Sequence, residues 1–376
     1  MIDRVKFKDT EVSRLGLGTM RLPVRTPLKR EANPMIDYKE GQKLVDLAFE
    51  YGINYFDTAY MYHAGKSESF IGTALKKYPR ESFFLADKLP VWMCLKKSDM
   101  EKIFNKQLSR CGVDYFDFYL LHALDGGNWE KCKKYNAVEF VEQKRKEGKV
   151  KYFGFSFHGS IDDLKEIVAA HDWDFAQIQM NYLDWKNQNA KEQYQILTDA
   201  GIPVIIMEPV RGGKLANPPK AVQEIFKNAK PDKSMASWAM GFDASFDNVL
   251  TILSGMNAEE QMLDNIETLT DFAPFNEQEF KLCANAAAIF NKNDIIPCTG
   301  CDYCADCPKG VKISSIFAVY NELKNGDITQ KQAEEKYSAI DVNASQCIKC
   351  GKCKSHCPQQ IDIPMQLKDT IPKVFG

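Results

Sequence analysis

Short apolar runs alternate with amphipathic segments over the first 270 or so residues. The apolar runs have the length and composition of strands, as in SFFLADK (82–88) and YFDFYLLH (115–122). They begin at Leu15 and continue at 54–60, 82–89, 115–123, 151–156, 175–181, 203–208 and 248–254. The segments between them show helical spacing of apolar residues at 39–51, 67–78, 97–111, 129–148, 161–171, 188–200 and 258–271.

This alternation predicts an α/β fold in which strands and helices follow one another as a (β/α)₈ TIM barrel. A small hairpin is expected before the first strand, within residues 4–22. An open doubly wound sheet is the competing architecture. It normally carries a glycine-rich turn that opens a helix after the first strand, and Gly16-Leu17-Gly18 opens none. The barrel is therefore the favoured prediction.

The pattern changes after Phe272. Helical spacing recurs at 275–291 and at 312–337, and most of the cysteines fall in this part of the chain. We therefore expect a barrel domain over residues 1–275. A helical linker and a small cysteine-rich domain are expected over residues 276–376.

Composition narrows the class of protein. The net charge of −2 gives no reason to expect nucleic acid or an anionic membrane as a partner. The N-terminal stretch MIDRVKFKDTE lacks the apolar core of a signal peptide, and no window approaches a membrane span. A cytoplasmic enzyme is the expectation.

The twelve cysteines are unevenly distributed. Cys94, Cys111, Cys132 and Cys283 are scattered among helical segments, and the other eight lie between Cys298 and Cys357. In a reducing compartment such a cluster indicates a metal site rather than disulfides. Zinc is the competing metal. Structural zinc, however, is usually bound by two well-separated C-x2-C pairs and not by three closely spaced cysteines followed by a Cys-Pro.

Polar residues stand at the ends of three successive strand-like runs. Asp57 follows Tyr55-Phe56, Lys88 closes the next run and His122 closes the third. Tyr62 lies in the loop after Asp57, before a helix for which Ser67 is the expected N-cap. Barrel enzymes carry their chemistry at such strand ends.

Asp57, Tyr62, Lys88 and His122 resemble the catalytic tetrad of the aldo-keto reductases, and FDTAxxY and DFYLLH extend the match. The resemblance implies carbonyl reduction, or alcohol oxidation, with a nicotinamide and a small substrate. Tyr62 would be the general acid. Because a free tyrosine has a pKa of about 10, a nearby ammonium is needed to stabilise the phenolate. Lys88 would supply that charge, Asp57 would hold Lys88, and His122 would hydrogen-bond the substrate oxygen or relay a proton.

The same resemblance implies a set of cofactor contacts. Ser156 and Gln177 match the residues that hold the nicotinamide carboxamide, although Phe157 and Met207 replace the usual asparagine and tyrosine nearby. Arg211-Gly212-Gly213-Lys214 could cradle the pyrophosphate. The adenosine end would meet Gly255, Gln261 and Asn265. Gly255 and Gln261 stand where a lysine and an arginine usually bind a 2′-phosphate, which leaves NAD, NADP and a flavin open as cofactors.

The C-terminal cysteines resemble a bacterial ferredoxin with two [4Fe–4S] clusters. Cys347, Cys350, Cys353 and Cys357-Pro358 give its C-x2-C-x2-C-x3-C-P run. The group Cys298, Cys301, Cys304 and Cys307-Pro308 has the same form with one residue fewer before the last cysteine. The resemblance implies that each fourth cysteine crosses over. Cys298, Cys301, Cys304 and Cys357 would bind one cluster, and Cys347, Cys350, Cys353 and Cys307 the other.

Together these patterns indicate the iron–sulfur branch of the aldo-keto reductases, in which clusters exchange single electrons with a partner protein or a flavin. A hydride carries two electrons, so a flavin would be the usual converter. Two other interpretations stay open. The clusters could be structural in a plain nicotinamide-dependent reductase, or the chain could be an electron-transfer or redox-sensing protein whose barrel is inactive.

Overall fold

The computed structural model describes residues 1–25, 35–292 and 295–375. Within these residues the strands are β1 Arg4–Phe7, β2 Thr10–Ser13, β3 Leu15–Gly18, β4 Tyr55–Asp57, β5 Phe84–Leu89, β6 Phe116–Leu124, β7 Val150–Phe157, β8 Phe175–Gln179, β9 Val204–Met207 and β10 Val249–Ser254. The helices that follow β3 to β8 are α1 Tyr38–Glu50, α2 Ser67–Leu75, α3 Ser98–Cys111, α4 Gly126–Tyr135, α5 Ala137–Lys146, α6 Ile161–Ala170, α7 Asp184–Asn187 and α8 Ala190–Asp199.

The later helices are α9 Lys220–Ala229, α10 Met235–Ala244, α11 Glu259–Leu269, α12 Glu277–Phe290, α13 Ile313–Lys324, α14 Gln330–Ser338, α15 Lys352–Ser355, α16 Ile363–Met365 and α17 Pro372–Phe375. Single 3₁₀ turns span Thr19–Arg21, Tyr62–Gly65, Arg80–Ser82, Val91–Met93, Arg211–Gly213 and Ala344–Gln346, and a π-helical turn spans Gln366–Thr370. No described helix is long and apolar enough to cross a membrane.

The strands β3 to β10 close into a parallel barrel. Each pairs with the next along the chain, and β10 closes the ring by pairing with both β9 and β3. The antiparallel hairpin of β1 and β2 contributes Phe7 and Val12 to an apolar cluster with Tyr55, Phe118 and other strand residues. The predicted (β/α)₈ barrel, including all eight of its strands, is confirmed.

Two predicted helices are interrupted where the backbone turns left-handed. Asn136, with φ of 55°, separates α4 from α5, and Gly326, with φ of 77°, lies between α13 and α14. Asn189, with φ of 53°, separates α7 from α8, and the helix predicted over 188–200 corresponds to α8 alone. Asparagine and glycine tolerate this conformation better than other residues. Helices α9 and α10 were not predicted.

The chain forms two compact units. One consists of Met1–Pro209 with Ala239–Asn276, and the other of Val210–Trp238 with Glu277–Gly376. The segment after β9 thus joins the cysteine-rich part, which a division at residue 275 alone does not describe. Within the second unit, Phe226 of α9 stacks on Trp238 with ring centroids 4.5 Å apart, and Lys230 pairs with Glu279 of α12.

Candidate active site and cysteine sites

The four residues predicted to carry the chemistry lie at the carboxyl ends of neighbouring barrel strands. Asp57 is the last residue of β4, Lys88 lies one residue before the end of β5, and His122 lies near the end of β6. Tyr62 begins the 3₁₀ turn that follows β4. Each of the four exposes less than a tenth of its surface to solvent. The fold therefore brings the predicted tetrad together.

Lys88 and Asp57 form a buried ion pair. The Lys88 Nζ atom donates to Asp57 Oδ1 at 2.6 Å and to the carbonyl oxygen of Thr58 at 2.8 Å. Burial raises the pKa of the Asp57 carboxyl, and the charge of Lys88 opposes that rise. The pair fixes the lysine head group, because a buried charge without its partner is strongly unfavourable.

The backbone of Lys88 is also fixed. Its carbonyl oxygen accepts from Gln107 Nε2 of α3 at 2.9 Å, and Gln107 Oε1 in turn accepts from the hydroxyl of Tyr119 at 2.6 Å. The Lys88 amide donates to Asp87 Oδ1 at 2.8 Å. Sequence analysis missed Gln107 and Tyr119, since their spacing alone resembles ordinary core positions.

The ring of Tyr62 lies beside the lysine head group, and the ring of His122 lies between those of Tyr62 and Trp92 in a series of aromatic contacts. Lys88 Nζ lies 5.0 Å from the ring centroid of Tyr62, and the ring of His122 lies 6.3 Å from that of Tyr62 and 4.9 Å from that of Trp92. Burial lowers the pKa of His122 well below its usual value, and Lys88 and His158 lower it further. The lowered pKa favours the neutral imidazole form of His122.

Strained backbone marks the same end of the barrel. His63 and Ala64 in the turn after Tyr62 have φ of 50° and 54°, Ala123 has 53° and Glu208 after β9 has 57°. Such conformations cost of order 1–3 kcal/mol each for non-glycine residues and cluster at functional sites. The Ala123 amide donates to Ser156 Oγ at 2.8 Å, so Ser156 fixes the bulge that follows His122.

Two of the expected cofactor residues have a buried side-chain oxygen that accepts no hydrogen bond from the described residues. Gln177 Oε1 and Asn265 Oδ1 are buried and have no hydrogen-bond partner among the described residues. The Gln177 amide nitrogen contacts the Met207 sulfur at 3.5 Å, and that of Asn265 donates to Ser254 Oγ at 3.1 Å. Unmade hydrogen bonds of buried groups are costly, so these oxygens fit a ligand that brings its own donors.

The expected adenosine end carries little charge. Gln261 Oε1 accepts from the Asn257 amide at 2.9 Å and so holds the loop after β10. A cation does lie beside this loop, however. The side-chain carbons of Arg21 are 3.1–3.3 Å from the position that a Cβ atom on Gly255 would take, and Arg21 Nη2 lies 3.7 Å from Glu208. Sequence analysis missed Arg21, which is far from Gly255 along the chain.

The predicted pyrophosphate cradle belongs to the second unit. Arg211, Gly212 and Gly213 form a 3₁₀ turn closed by a bond from the Gly213 amide to the Val210 carbonyl at 3.0 Å. Lys214 Nζ donates to the carbonyl oxygen of Ile296 at 3.4 Å. Burial raises the pKa of Cys298, whereas the Gly300 amide and the charge of Lys214 lower it. Lys214 is therefore beside the first group of cysteines.

Cys298, Cys301, Cys304 and Cys357 line one cavity. Its remaining wall is largely apolar and includes Ile313, Phe317, Ile361 and Ile363. Burial raises the pKa of the Cys304 thiol, and the other three thiols raise it further, as expected for neighbours within electrostatic range. The sulfurs thus converge in the combination that the ferredoxin resemblance implies, with Cys357 arriving from the second motif.

Cys307 lies with the second group. Burial and, after it, the neighbouring thiols of Cys347, Cys307 and Cys350 together raise the pKa of Cys353 to about 11. The shortened spacing before Cys307 therefore does not keep it from this group. In both groups a backbone amide donates to a sulfur: Gly300 to Cys298 Sγ and Lys349 to Cys347 Sγ, each at 3.4 Å.

The surroundings of these sulfurs suit an iron–sulfur cluster. Each thiolate of such a cube binds a different corner, whereas one zinc ion draws its thiolates to about 2.3 Å. Sulfur donors, an apolar wall and amide donors to sulfur all suit a [4Fe–4S] cluster.

Comparison with known proteins finds two families. Residues 14–288 match the aldo/keto reductase family, and residues 297–361 match the 4Fe-4S dicluster domain. The aldo-keto reductase AKR11C1 from Bacillus halodurans in its holo form has the same fold, with a TM-score of 0.63 and 22% identity. That alignment covers 76% of this chain and 96% of that one.

Sequence relatives also align with the barrel. The uncharacterized oxidoreductase YqkF of Bacillus subtilis is 26% identical over 73% of this chain and 92% of its own length. The NADH-specific methylglyoxal reductase of Escherichia coli is 25% identical over 69% and 91%. Since the first family match covers well over half of the sequence, this chain belongs to the aldo/keto reductase family and carries a C-terminal 4Fe-4S dicluster domain.

Proposed function

We propose that the barrel reduces a small carbonyl compound, or oxidises the corresponding alcohol, with a nicotinamide cofactor. We further propose that two [4Fe–4S] clusters in the C-terminal unit exchange single electrons with a partner protein or a flavin. The observation that carries the first proposal is the buried Lys88–Asp57 pair beside the ring of Tyr62.

Each member of the tetrad has a role that its surroundings support. Tyr62 donates a proton to the substrate oxygen as negative charge develops there, and the Lys88 ammonium stabilises the phenolate that remains. Asp57 holds that ammonium in place. Neutral His122 offers one N–H and no charge, which suits hydrogen bonding to a carbonyl oxygen.

The cofactor residues support a nicotinamide in the barrel. When bound, it would supply the hydride. Gln177 Oε1 would accept from its carboxamide, and Asn265 Oδ1 would accept from its adenosine end, because both oxygens are buried without a partner among the described residues. Ser156 would act indirectly as well, by fixing the bulge beside His122. One relative is named an NADH-specific reductase, which favours NADH as the first cofactor to test.

The cysteines support two clusters with crossed fourth ligands. Cys298, Cys301, Cys304 and Cys357 would hold one, and Cys347, Cys350, Cys353 and Cys307 the other. When bound, each cluster would supply one electron at a time. A flavin in this chain or in its partner would reconcile these single electrons with a two-electron hydride.

The role of Lys88 is tested by replacing it with methionine and following methylglyoxal reduction by NADH across pH. We expect the rate to fall by about 10²-fold or more, and the alkaline limb of the pH profile to move upward, because the ammonium no longer stabilises the Tyr62 phenolate. Lys144→Met is the matched control, since Lys144 is also buried and paired with carboxylates. An unchanged pH profile in Lys88→Met would contradict the proposed role.

A further inference from the structure

The two groups of cysteines begin with loops of the same backbone shape. In the first, Cys298-Thr299-Gly300-Cys301, Gly300 has φ of 68° and its amide donates to Cys298 Sγ at 3.4 Å. In the second, Cys347-Ile348-Lys349-Cys350, Lys349 has φ of 55° and its amide donates to Cys347 Sγ at the same distance. The side chains on the two loops can therefore be compared position by position.

The side chains differ in size, charge and exposure. Thr299 is 5% exposed, whereas Ile348 at the matching position is 56% exposed. Gly300 is matched by Lys349, although glycine adopts this left-handed conformation at lower cost. In the next pair of positions, Asp302 and Tyr303 of the first motif are matched by Gly351 and Lys352 of the second. The second loop thus presents an isoleucine and lysines to solvent where the first presents neither.

The cysteines follow the same asymmetry. Cys350 is the exposed cysteine of the second loop, and its counterpart Cys301 is only partly exposed and lines an apolar cavity. Any cluster held by the second group is therefore close to solvent at Cys350. Electron transfer between proteins requires the donor to lie near the contact surface, so the second group is the better placed to exchange electrons.

The sequence segment that carries the second loop is rich in lysine, and Asp306, which pairs with Lys352, lies outside that segment. Residues 343–375 carry five lysines (Lys349, Lys352, Lys354, Lys368 and Lys373) and two aspartates (Asp362 and Asp369). Five minus two gives a charge of +3. Since the whole chain carries −2, the rest of the chain carries −5. Lys349 and Lys352 flank the exposed Cys350, and their partners Asp369 and Asp306 are themselves about half exposed.

From these observations we propose that Ile348, Lys349 and Lys352 form the docking face for an acidic protein that carries a one-electron redox group. The proposal rests on the proposed function of the clusters and adds the site and the charge of the partner. An apolar residue surrounded by lysines suits a short-lived complex. Weak redox encounters bury less than about 1,200 Å², and rim charges mainly set association rate and salt dependence.

The test uses the full chain, purified anaerobically, and flavodoxin, a small acidic flavin protein, as the probe. Binding is measured by calorimetry at low and high salt for the wild type, Lys349→Glu and Ile348→Ser. Lys331→Glu is the matched control, because Lys331 is an exposed lysine on α14 in the same unit. Iron and acid-labile sulfide are measured in every sample.

We expect Lys349→Glu to weaken binding at least tenfold, Ile348→Ser to weaken it severalfold, and Lys331→Glu to leave it unchanged. High salt, and amidation of the flavodoxin carboxylates, should each weaken binding to the wild type. No binding by the wild type, or equal loss in Lys349→Glu and Lys331→Glu, would overturn the docking face.

Three further outcomes separate this proposal from others. If the wild type binds phosphatidylglycerol vesicles through Lys349 but does not bind flavodoxin, the face serves a membrane surface and the proposal is wrong. Full iron and sulfide with unaltered binding in Lys349→Glu would refute the docking face alone. A chain that holds no iron would overturn the proposed function of the clusters and this proposal with it.

Discussion

The ammonium group of Lys88 is a buried positive charge in the barrel site. Its head group is held by Asp57 and Thr58, and its backbone by Asp87 and Gln107. Loss of one member of a buried ion pair typically costs about 3–5 kcal/mol, because the other charge is left without compensation. The position of the lysine beside Tyr62 is therefore stabilised by the same interactions that stabilise the fold.

Cofactor choice should follow from the residues at the adenosine end. Gly255 has no side chain and Gln261 has no charge, so we expect NADH to bind at least as tightly as NADPH in a fluorescence titration. Gln261→Arg should improve NADPH binding by about tenfold or more, since a charge-assisted hydrogen bond contributes about 1.5–3 kcal/mol. A hundredfold preference of the wild type for NADPH would contradict this expectation, and Arg21 would then be the first residue to replace.

Sequence reasoning at this scale succeeded for residues defined by strand ends. Asp57, Lys88 and His122 were placed correctly because parallel strands of a barrel all end on one face. It failed where a contact joins distant segments. Ser67 was predicted as an N-cap, but it is the first residue of α2 and its hydroxyl donates to Thr19 Oγ1 at 2.6 Å. Capping signals in a sequence do not reveal such a competing partner.

At the scale of elements, α2 and α3 pack unusually closely behind the tetrad. A Cβ atom on Gly72 of α2 would lie 2.3 Å from the carbonyl oxygen of Cys111 at the end of α3. Backbone atoms at that distance cannot move aside as a flexible side chain can. Helix α2 follows the Tyr62 turn and α3 follows the strand of Lys88, so this contact connects the supports of two tetrad residues.

Gly72→Ala should therefore destabilise the protein even though alanine is the better helix former. We expect a loss of about 1–3 kcal/mol in the free energy of unfolding, measured by urea denaturation. Gly127→Ala is the matched control in α4, where the added Cβ atom would lie 3.5 Å from Asp125 Oδ1, an ordinary contact. That change should be neutral or stabilising by up to about 1 kcal/mol. Equal effects of the two substitutions would show that helix propensity, and not packing against α3, determines the change in stability.

Two helices, α9 and α10, were not predicted from the sequence. Helix α9 has buried Val222 and Phe226 at helical spacing, but the sequence analysis assigned no helix to the segment between β9 and β10. Helix α10 is largely apolar, so it lacks the amphipathic period that identifies a helix. The barrel strands were easier, because their apolar runs are short and regularly spaced.

At the scale of the whole molecule, the second unit builds its core around the cysteines. Its apolar cluster contains Cys304 and Cys353 together with Phe317, Tyr320 and several isoleucines, and Cys298, Cys307, Cys347 and Cys357 pack against it. Metal binding and folding should therefore be coupled in the second unit.

The cluster content tests that coupling. Anaerobically purified protein should hold about eight iron and eight sulfide atoms, since the eight cysteines are proposed to hold two [4Fe–4S] clusters. The Cys350→Ser variant should lose at least one cluster. The temperature of its first unfolding transition, measured by calorimetry, should also be lower, because the C-terminal core loses its metal. Cys94→Ser is the matched control, as Cys94 is a buried cysteine outside both groups. Stoichiometric zinc without sulfide would contradict the cluster assignment.

The two domains were predictable because each has its own pattern, strand–helix alternation in one and cysteine spacing in the other. Their boundary was harder. The segment 210–238 is interposed between barrel strands in sequence yet packs with the C-terminal unit. No local pattern in the sequence records which unit a connecting segment joins, since that depends on contacts with residues far along the chain.

Single-turnover oxidation of NADH by a small aldehyde, compared between the wild type and Tyr62→Phe, tests the central claim most directly. The proposed general acid acts only as negative charge develops on the substrate oxygen. Its removal should therefore lower the rate of turnover and leave ground-state binding unchanged. We predict a rate lower by about 10²–10⁴-fold, with NADH affinity, iron and sulfide unchanged. If Tyr62→Phe retains most of the wild-type rate, Tyr62 is not the proton donor and the barrel does not use the proposed chemistry.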